Sequence, residues 1–410
     1  MSERKKVLIL TADAGFGHRS AAIAVAAAIE EKYSEDTDVE IVNPLDDIRV
    51  PTFLRDSQTD YTKWVRHVPE LYQLGYEASD SLLPTTILEN FLVVLLIDAM
   101  RGILEASNPD VILTTYPLYQ STLTALFRSK RYRVPLYTSI TDLSTVHRMW
   151  FHKRVDGCLV PNNLVADLAT SCGMPAEKIN ITGIPVHPNV VRDDRPKNEI
   201  RKELGWETDT PTILAVSSKR VERMIDTLNI INHYGGKVQL AVVAGKDERL
   251  LHEINQFEWH IPVKVYDFVE NMPSLMHAAD MIICKAGGLI VTESLACGLP
   301  MILIEIIPGQ ETGNAEYVTA LGAADLAESP IAVLECLDHM LMNDQAILKQ
   351  RAKNAVRIGQ PRSAYKVADI LHQTLEKAPP QTARAHKKPL EELVGRLSEA
   401  EIRDPHSWLP

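Results

Sequence analysis

The first residues that could do chemistry lie where an apolar strand pattern gives way to an alanine-rich helix pattern. The junction carries Gly15, Gly17 and His18 in the spacing G-x-G-H. Glycines at such a junction let the backbone turn tightly and approach a ligand, and the helix start offers unpaired N–H groups. A histidine there can act as a general base near neutral pH. The same residues also fit an ordinary tight turn, and the spacing lacks the third glycine of a dinucleotide fingerprint.

A second strand–glycine–helix junction lies at 284–300, CKAGGLIVTESLACGLP. Gly287 and Gly288 precede the helix pattern, and Glu293 falls in its second turn. A carboxylate in that position can accept both hydroxyls of a ribose, as acidic residues do in other nucleotide-binding folds. The alternative is that Glu293 is only a favourable charge near a helix N-terminus.

The third candidate is the polar loop at 307–318, IPGQETGNAEYV. Gln310, Glu311 and Asn314 offer hydrogen-bond donors and acceptors within one loop. Sugar hydroxyls require this mixture of amides and carboxylates. An ordinary loop with turn-forming residues has a similar composition, so the loop alone does not decide between the two.

Elements that would position these residues alternate along the whole chain. Strand patterns lie at 6–11, 39–43, 111–115, 135–140, 157–160, 212–217, 238–244, 263–267, 281–284 and 301–304. Helix patterns between them lie at 18–33, 88–107, 247–256 and 289–297. This alternation favours parallel sheets covered on both faces. Two such series predict an α/β protein with two doubly wound, Rossmann-like domains.

The predicted domain boundary lies in the segment 185–196, whose prolines and charges break regular structure. We therefore predict an N-terminal domain, a second domain, a C-terminal helix, and a linker that could end in an amphipathic helix. Their predicted ranges are 1–187, 188–360, 361–377 and 378–410.

The composition of the chain bears on its partners and on the cellular compartment in which it works. A net charge of −11 leaves no basic excess to neutralise phosphates, which argues against a nucleic-acid partner. The apolar run Phe91–Ile97 is far shorter than the roughly 20 residues that span a bilayer. Five scattered cysteines without a CxxC pair fit buried thiols in a reducing cytoplasm better than a zinc site. We therefore expect a cytoplasmic protein without a disulfide framework or a cysteine zinc site.

In combination, the motifs resemble those of the diacylglycerol glycosyltransferases, including plant monogalactosyldiacylglycerol synthases and bacterial processive diacylglycerol glucosyltransferases. These motifs are G-x-G-H, GIPV at 183–186, KAGG…E and PGQETGN, and the stretches 141–161 and 259–272 resemble their plant counterparts. The resemblance covers about residues 5–360. It implies a GT-B fold, with two Rossmann-like domains facing a central cleft. It also implies transfer of galactose or glucose from a UDP-hexose to diacylglycerol, without a metal or another cofactor.

The resemblance further implies roles for individual residues. His18 matches the loop histidine that deprotonates or positions the acceptor, and Glu293 matches a ribose-binding glutamate. Gln310 and Glu311 match residues that hold the donor sugar, and Phe268 lies where the family packs the uracil ring. The donor-binding set is therefore Phe268, Gly287, Gly288, Glu293, Gln310, Glu311 and Asn314.

The stretch HRMWFHKR, at 147–154, interleaves two aromatic residues with two histidines and three basic residues. Such a composition suits a bilayer surface, where rings lie at headgroup depth and cations attract anionic lipids. A solvated turn around a buried Trp150 is the alternative. We expect peripheral association with the inner face of an anionic membrane. The acceptor- and membrane-binding set is Gly15, Gly17, Asp142, His147 and Trp150.

Two departures from the family pattern fall on the donor diphosphate. The first strand of the second domain runs into Ser217, Ser218, Lys219 and Arg220, where the family has a glycine-rich loop. Ile290 stands where the family usually has a threonine. Lys219 and Arg220 could compensate by charge. Otherwise the chain is a non-catalytic family member that binds lipid or nucleotide with a degenerate diphosphate site.

Overall fold

Two parallel six-stranded sheets form the framework of the protein. The computed structural model describes residues 4–14, 16–56, 82–128, 133–218, 221–307 and 311–377. Residues 57–81 and the linker predicted at 378–410 therefore lie outside the described residues.

The first sheet has the strand order β2-β1-β3-β4-β5-β6. Its strands are β1 Lys5–Leu10, β2 Thr37–Val42, β3 Val111–Thr114, β4 Leu136–Ser139, β5 Gly157–Val160 and β6 Ile179–Ile181. The helices between them are α1 Phe16–Tyr33, α2 Leu82–Ser107, α3 Gln120–Arg128 and α4 Asn163–Ser171. Short 3₁₀ helices lie at Pro44–Asp46, Pro117–Tyr119, Arg148–Trp150 and Ala176–Lys178.

The second sheet has the order β12-β11-β10-β7-β8-β9. Its strands are β7 Thr212–Val216, β8 Gln239–Val243, β9 Val263–Tyr266, β10 Met281–Lys285, β11 Met301–Glu305 and β12 Ala324–Leu326. Its helices are α5 Asn189–Arg192, α6 Lys197–Leu204, α7 Met224–Asn232, α8 Glu248–Ile254, α9 Met272–Ala278, α10 Gly288–Ala296, α11 Thr312–Ala320 and α12 Pro330–Ile358. Helix α12 is broken at Met342–Gln345, and α13, Ser363–Lys377, follows it.

Both faces of the first sheet are covered, which explains why its strands read as unbroken apolar runs. Leu8 and Leu10 face one core, with side chains of α2 and α3. Val7 and Ile9 face the other, with the alanine-rich side of α1 and with α13. The expected strands are therefore present in order. Strands β6 and β12 were not expected from the sequence, because three residues at a sheet edge are too short to give a pattern.

The topology of each sheet decides where its functional loops meet. Chain direction across the first sheet reverses between β1 and β3, and across the second between β7 and β10. Open α/β sheets bind ligands outside the carboxyl ends of strands at such reversals. His18 follows β1, and Gly287 and Gly288 follow β10. Both candidate loops thus lie at the binding positions of their sheets.

Helix α13 returns to the first sheet after the chain has completed the second. Tyr365 Oη donates to Glu31 Oε2 at 2.9 Å, and Tyr33 Oη donates to Asp369 Oδ1 at 2.7 Å. Leu371 is fully buried against α1. The last described helix is therefore part of the hydrophobic core of the first domain. None of the helices in the described ranges is long and apolar enough to cross a membrane.

We expect the substitution Leu371→Ala to lower the free energy of unfolding by about 2–5 kcal/mol, because a fully buried leucine leaves a cavity when truncated. Urea unfolding followed by circular dichroism measures this. Gln373→Ala, an exposed change on the same helix, is the control and should be nearly neutral. A loss below about 1 kcal/mol for Leu371→Ala would mean that α13 does not contribute to the core.

Candidate active site

The two candidate loops meet across the cleft through residues 141–145, which we call the clasp loop. It follows β4 of the first sheet and reaches the start of α10 in the second domain. A Cβ on Gly288 would overlap the carbonyl oxygen of Thr141. A Cβ on Gly313 would overlap Thr145 in the same way. Glycine is therefore required at both positions for the domains to approach this closely.

The clasp loop is anchored in the second domain by its central residue. Leu143 is 5% exposed and packs in the hydrophobic core beneath α10 and β10. Its backbone N–H donates to Asn314 Oδ1 at 2.8 Å, while Asn314 Nδ2 donates to the Ala286 carbonyl at 3.2 Å. Asn162 Nδ2 donates to the Leu143 carbonyl at 2.7 Å from the other side. Both backbone groups of Leu143 are thereby satisfied.

This geometry corrects the prediction for Asn314. Its side chain is 1% exposed, and both ends of its amide bond to backbone groups. The prediction that Asn314 binds the donor directly is therefore wrong. The residue joins the two domains, a role that requires the same donors and acceptors as sugar recognition does.

His18 lies in the first turn of α1, half-buried on the first-domain side of the cleft. Its Nδ1 atom is 3.0 Å from Thr141 Oγ1. The ring of Tyr116 meets it edge-on at 5.0 Å between centroids, and the ring of Trp150 lies at 6.1 Å. Gly17, one residue earlier, has open space at its Cβ position. Gly15 lies outside the described residues.

The predicted membrane contacts of Trp150 and His147 are wrong. Trp150 is 2% exposed and belongs to the core of the first domain. His147 is buried, and its Nδ1 accepts from the Met149 N–H at 3.2 Å to cap the 3₁₀ helix. Lys153 and Arg154 are exposed. The stretch is therefore the buried-tryptophan turn that the sequence left as the alternative, with two cations at the surface.

Two carboxyl groups meet in the cleft, one from each domain. Asp142, on the clasp loop, is 9% exposed, and it forms no hydrogen bond with the residues described. Burial, and then the nearby Glu311 carboxylate, raise the pKa of Asp142 to about 7. Glu311 forms an ion pair with Lys285, and its Oε2 accepts from the Ile307 N–H at 3.1 Å. Lys285 was not selected from the sequence, although it is the lysine of the KAGG motif.

Glu293 lies in the second turn of α10, as expected, and is half-buried. Its carboxylate forms no hydrogen bond with any part of the chain that the structure describes. Burial raises the pKa of Glu293 to about 7. The N-terminus of α10, at Gly287 and Gly288, has no side-chain cap. An unpartnered carboxylate and uncapped amides are thus available on one helix.

The loop after β7, where the sequence departs from the family pattern, begins with serines instead of glycines. Ser217 is 5% exposed, and its hydroxyl finds no partner within the described ranges. The N–H of Glu222 donates to Glu305 Oε2 at 2.9 Å, so a carboxylate already occupies one amide there. Lys219 and Arg220 lie outside the described residues, as does Gln310 of the polar loop.

Phe268 follows β9 at the same end of the second sheet as Gly287 and Gly288. Its ring is 49% exposed, and Lys246 Nζ lies over it at 4.2 Å from the centroid. An exposed ring at this position is open to stacking or edge contact by a base. No group of three His, Cys, Asp or Glu side chains suited to a metal occurs among the residues that the structure describes.

Comparison with known proteins identifies both halves of the chain. Residues 18–186 match the family model described as Monogalactosyldiacylglycerol (MGDG) synthase. Residues 213–373 match the Glycosyltransferase family 28 C-terminal domain. The chloroplastic monogalactosyldiacylglycerol synthase of Spinacia oleracea is 32% identical over 90% of this chain and 72% of its own length.

Solved structures share the fold. MurG of Acinetobacter baumannii superposes with a TM-score of 0.56 at 17% identity, over 90% of this chain and 99% of MurG. UDP-GlcNAc 2-epimerase of Neisseria meningitidis, solved with UDP-GlcNAc, gives 0.59 at 16% identity, over 91% and 100%. The expected GT-B fold is thereby confirmed. The spinach relative is 32% identical over 90% of this chain, and the chain therefore belongs to the monogalactosyldiacylglycerol synthase family.

Proposed function

We propose that the protein transfers a hexose from a UDP-sugar to the free hydroxyl of diacylglycerol. The observation that carries this proposal is the meeting of two half-sites across one cleft. His18 stands on the acceptor side, and the uncapped N-terminus of α10 with Glu293 stands opposite. Family membership supports the acceptor, and the name of the spinach relative favours galactose as the hexose.

In the proposed reaction, His18 takes the proton of the acceptor hydroxyl. The oxygen of that hydroxyl bonds to the anomeric carbon of the hexose at the same time. The bond from that carbon to the diphosphate oxygen breaks, and UDP leaves with the electron pair. The leaving diphosphate is an anion, which the dipole and free N–H groups at the N-terminus of α10 stabilise. Gly287, whose Cβ position faces only the ends of the Lys285 and Glu311 side chains, allows this close approach, although the loop after β7 has no glycine.

The sugar itself would lie between the carboxyl pair and the reacting groups. Asp142 comes from the acceptor domain and Glu311, held by Lys285, from the donor domain. Charged acceptors of this kind bind sugar hydroxyls through strong hydrogen bonds. Glu311 as a donor-sugar residue, together with Gln310, remains a prediction.

We expect the substitution His18→Ala to lower kcat about 10²- to 10⁴-fold, because it removes the general base. The affinity for UDP should stay within about twofold, because His18 lies on the acceptor side of the cleft. Transfer assays with UDP-galactose and diacylglycerol, and calorimetric titration with UDP, measure the two quantities. A variant that turns over within about twofold of the unmodified protein would exclude His18 from the chemistry.

We expect Glu293→Gln to weaken UDP binding about tenfold at pH 8, because a carboxylate accepts ribose hydroxyls more strongly than an amide does. Since the pKa of Glu293 is about 7, its carboxyl is largely protonated at pH 6 and ionised at pH 8. Binding to the ionised form releases about half a proton per UDP at pH 7. Affinity should therefore rise with pH in the unmodified protein.

Calorimetry in buffers of different ionisation enthalpy counts this released proton. Glu316→Gln, an exposed carboxyl on α11, is the matched control and should behave as the unmodified protein does. If Glu293→Gln leaves both the affinity and the proton release unchanged, Glu293 is only a charge near the start of α10.

We also propose that the first domain docks on a membrane surface, from which it takes diacylglycerol. Support comes from exposed apolar side chains on α2 and on the described segment 43–56 that follows β2. Phe91 and Val94 are 52% and 73% exposed, and Ile48 and Phe53 are 88% and 61% exposed. Helix α2 packs against the 3₁₀ helix of Trp150, one layer from His18. A docked α2 would therefore bring the bilayer near the base.

We expect the double substitution Phe91→Ser plus Val94→Ser to weaken partitioning to phosphatidylglycerol vesicles about tenfold, because it removes apolar area that the bilayer would bury. Sedimentation with vesicles measures it. Leu164→Ser, which alters an exposed leucine on α4, is the control. Lys153 and Arg154 add an electrostatic part that salt weakens. Equal binding of the double variant and the control would contradict docking through α2.

The second candidate function, a non-catalytic binding module, is favoured by the loop after β7. There the Glu305 carboxylate accepts a hydrogen bond from the Glu222 N–H. Ser217 and its neighbours stand where the family has glycines. UDP binding without transfer from any UDP-hexose would support this candidate. Transfer to diacylglycerol would exclude it.

A further inference from the structure

We propose that Thr141 is a positioning residue that fixes the orientation and tautomer of the His18 imidazole, an inference that rests on the proposed transfer reaction. The contact that carries it is the 3.0 Å separation between Thr141 Oγ1 and His18 Nδ1. Thr141 is 6% exposed, so its hydroxyl faces the protein interior rather than solvent.

The surroundings of the ring leave it few alternatives. Tyr116 meets the imidazole edge-on at an interplanar angle of 74°. The Trp150 ring is tilted against the imidazole by 41°, with 6.1 Å between the ring centroids. With Nδ1 directed to Thr141, the Nε2 atom lies on the opposite side of the ring. An orienting partner on one ring nitrogen is the usual means of fixing which atom of a histidine reacts.

The contact with Thr141 also fits the protonation state that a base needs, because a hydroxyl oxygen can accept a hydrogen bond from a ring N–H. A base must offer an unprotonated nitrogen, so the reactive form of His18 carries its hydrogen on Nδ1 and donates it to Thr141 Oγ1. Nε2 then takes the proton of the acceptor hydroxyl as the glycosidic bond forms and UDP leaves. The resulting imidazolium keeps the same bond to Thr141. The contact therefore serves both the neutral and the charged ring.

The position of Thr141 depends on the donor domain as well as on the acceptor domain. Its carbonyl oxygen lies against Gly288, and Leu143, two residues later, is inserted in the core of the second domain. The orienting hydroxyl is thus delivered by a loop that is seated on the donor half of the enzyme. His18 is correctly oriented only where the clasp loop is seated.

The first test compares Thr141→Val, which keeps the shape and loses the hydroxyl, with Thr141→Ser, which keeps the hydroxyl. We expect Thr141→Val to lower kcat at least about tenfold, with KM for the UDP-hexose within about twofold, and Thr141→Ser to restore most of kcat. In a His18→Ala background, Thr141→Val should change nothing further, because the two residues act as one unit. Unchanged kcat in Thr141→Val, or an undiminished effect without His18, would overturn the proposal.

The second test does not require activity. Nitrogen-15 NMR of histidine-labelled protein, with the His18 signals assigned by their loss in His18→Ala, reports which ring nitrogen is protonated. We expect Nδ1–H in the unmodified protein and in Thr141→Ser, and a mixture of tautomers in Thr141→Val. A predominant Nε2–H form in the unmodified protein would overturn the proposal. Absence of transfer from every UDP-hexose would refute the proposed function, while this measurement would still decide the role of Thr141.

Discussion

The insertion of Leu143 into the core of the second domain is the contact on which the site depends. A fully buried leucine contributes about 1.5–3 kcal/mol, and the Asn314 amide adds hydrogen bonds worth about 1 kcal/mol each. These interactions hold the clasp loop in contact with His18 and Glu311. Thr141 meets His18 on one side, and Asp142 meets Glu311 on the other. Groups from both domains are therefore positioned by one anchored loop.

The cleft also holds polar groups that the described part of the fold leaves without partners. Asp142, Glu293 and the hydroxyl of Ser217 are buried or half-buried without a hydrogen bond from the residues described. A buried polar group in this condition costs about 1–3 kcal/mol. Proteins usually retain such groups where a ligand satisfies them. The same burial brings two carboxyl pKa values to about 7, where small changes of pH or ligand alter the charge of the cleft.

Sequence patterns predicted the framework well because parallel strands buried on both faces must be apolar throughout. They also led to His18, Gly288 and Glu293, since strand–glycine–helix junctions mark the binding end of such sheets, and the three residues lie on the helices that follow β1 and β10. The roles of these residues stay predictions. Sequence patterns failed for Asn314 and Trp150. An amide that joins two domains and an amide that binds sugar offer the same hydrogen-bond donors and acceptors. A tryptophan next to cationic residues in the sequence can lie in the hydrophobic core or at the surface. Only the tertiary contacts distinguish these cases, and Thr141 and Lys285 acquire their roles only through partners distant in sequence.

The return of α13 to the first sheet sets an order for folding during synthesis. Strand β6 ends at Ile181, but the helix that covers α1 begins at Ser363. At translation rates of 5–20 residues per second, about 180 intervening residues take roughly ten to forty seconds. Throughout that time the apolar side of α1 lacks its cover. The first domain to leave the ribosome is thus the last to complete its core, because the side chains of α1 that α13 covers wait for the whole second domain to be made.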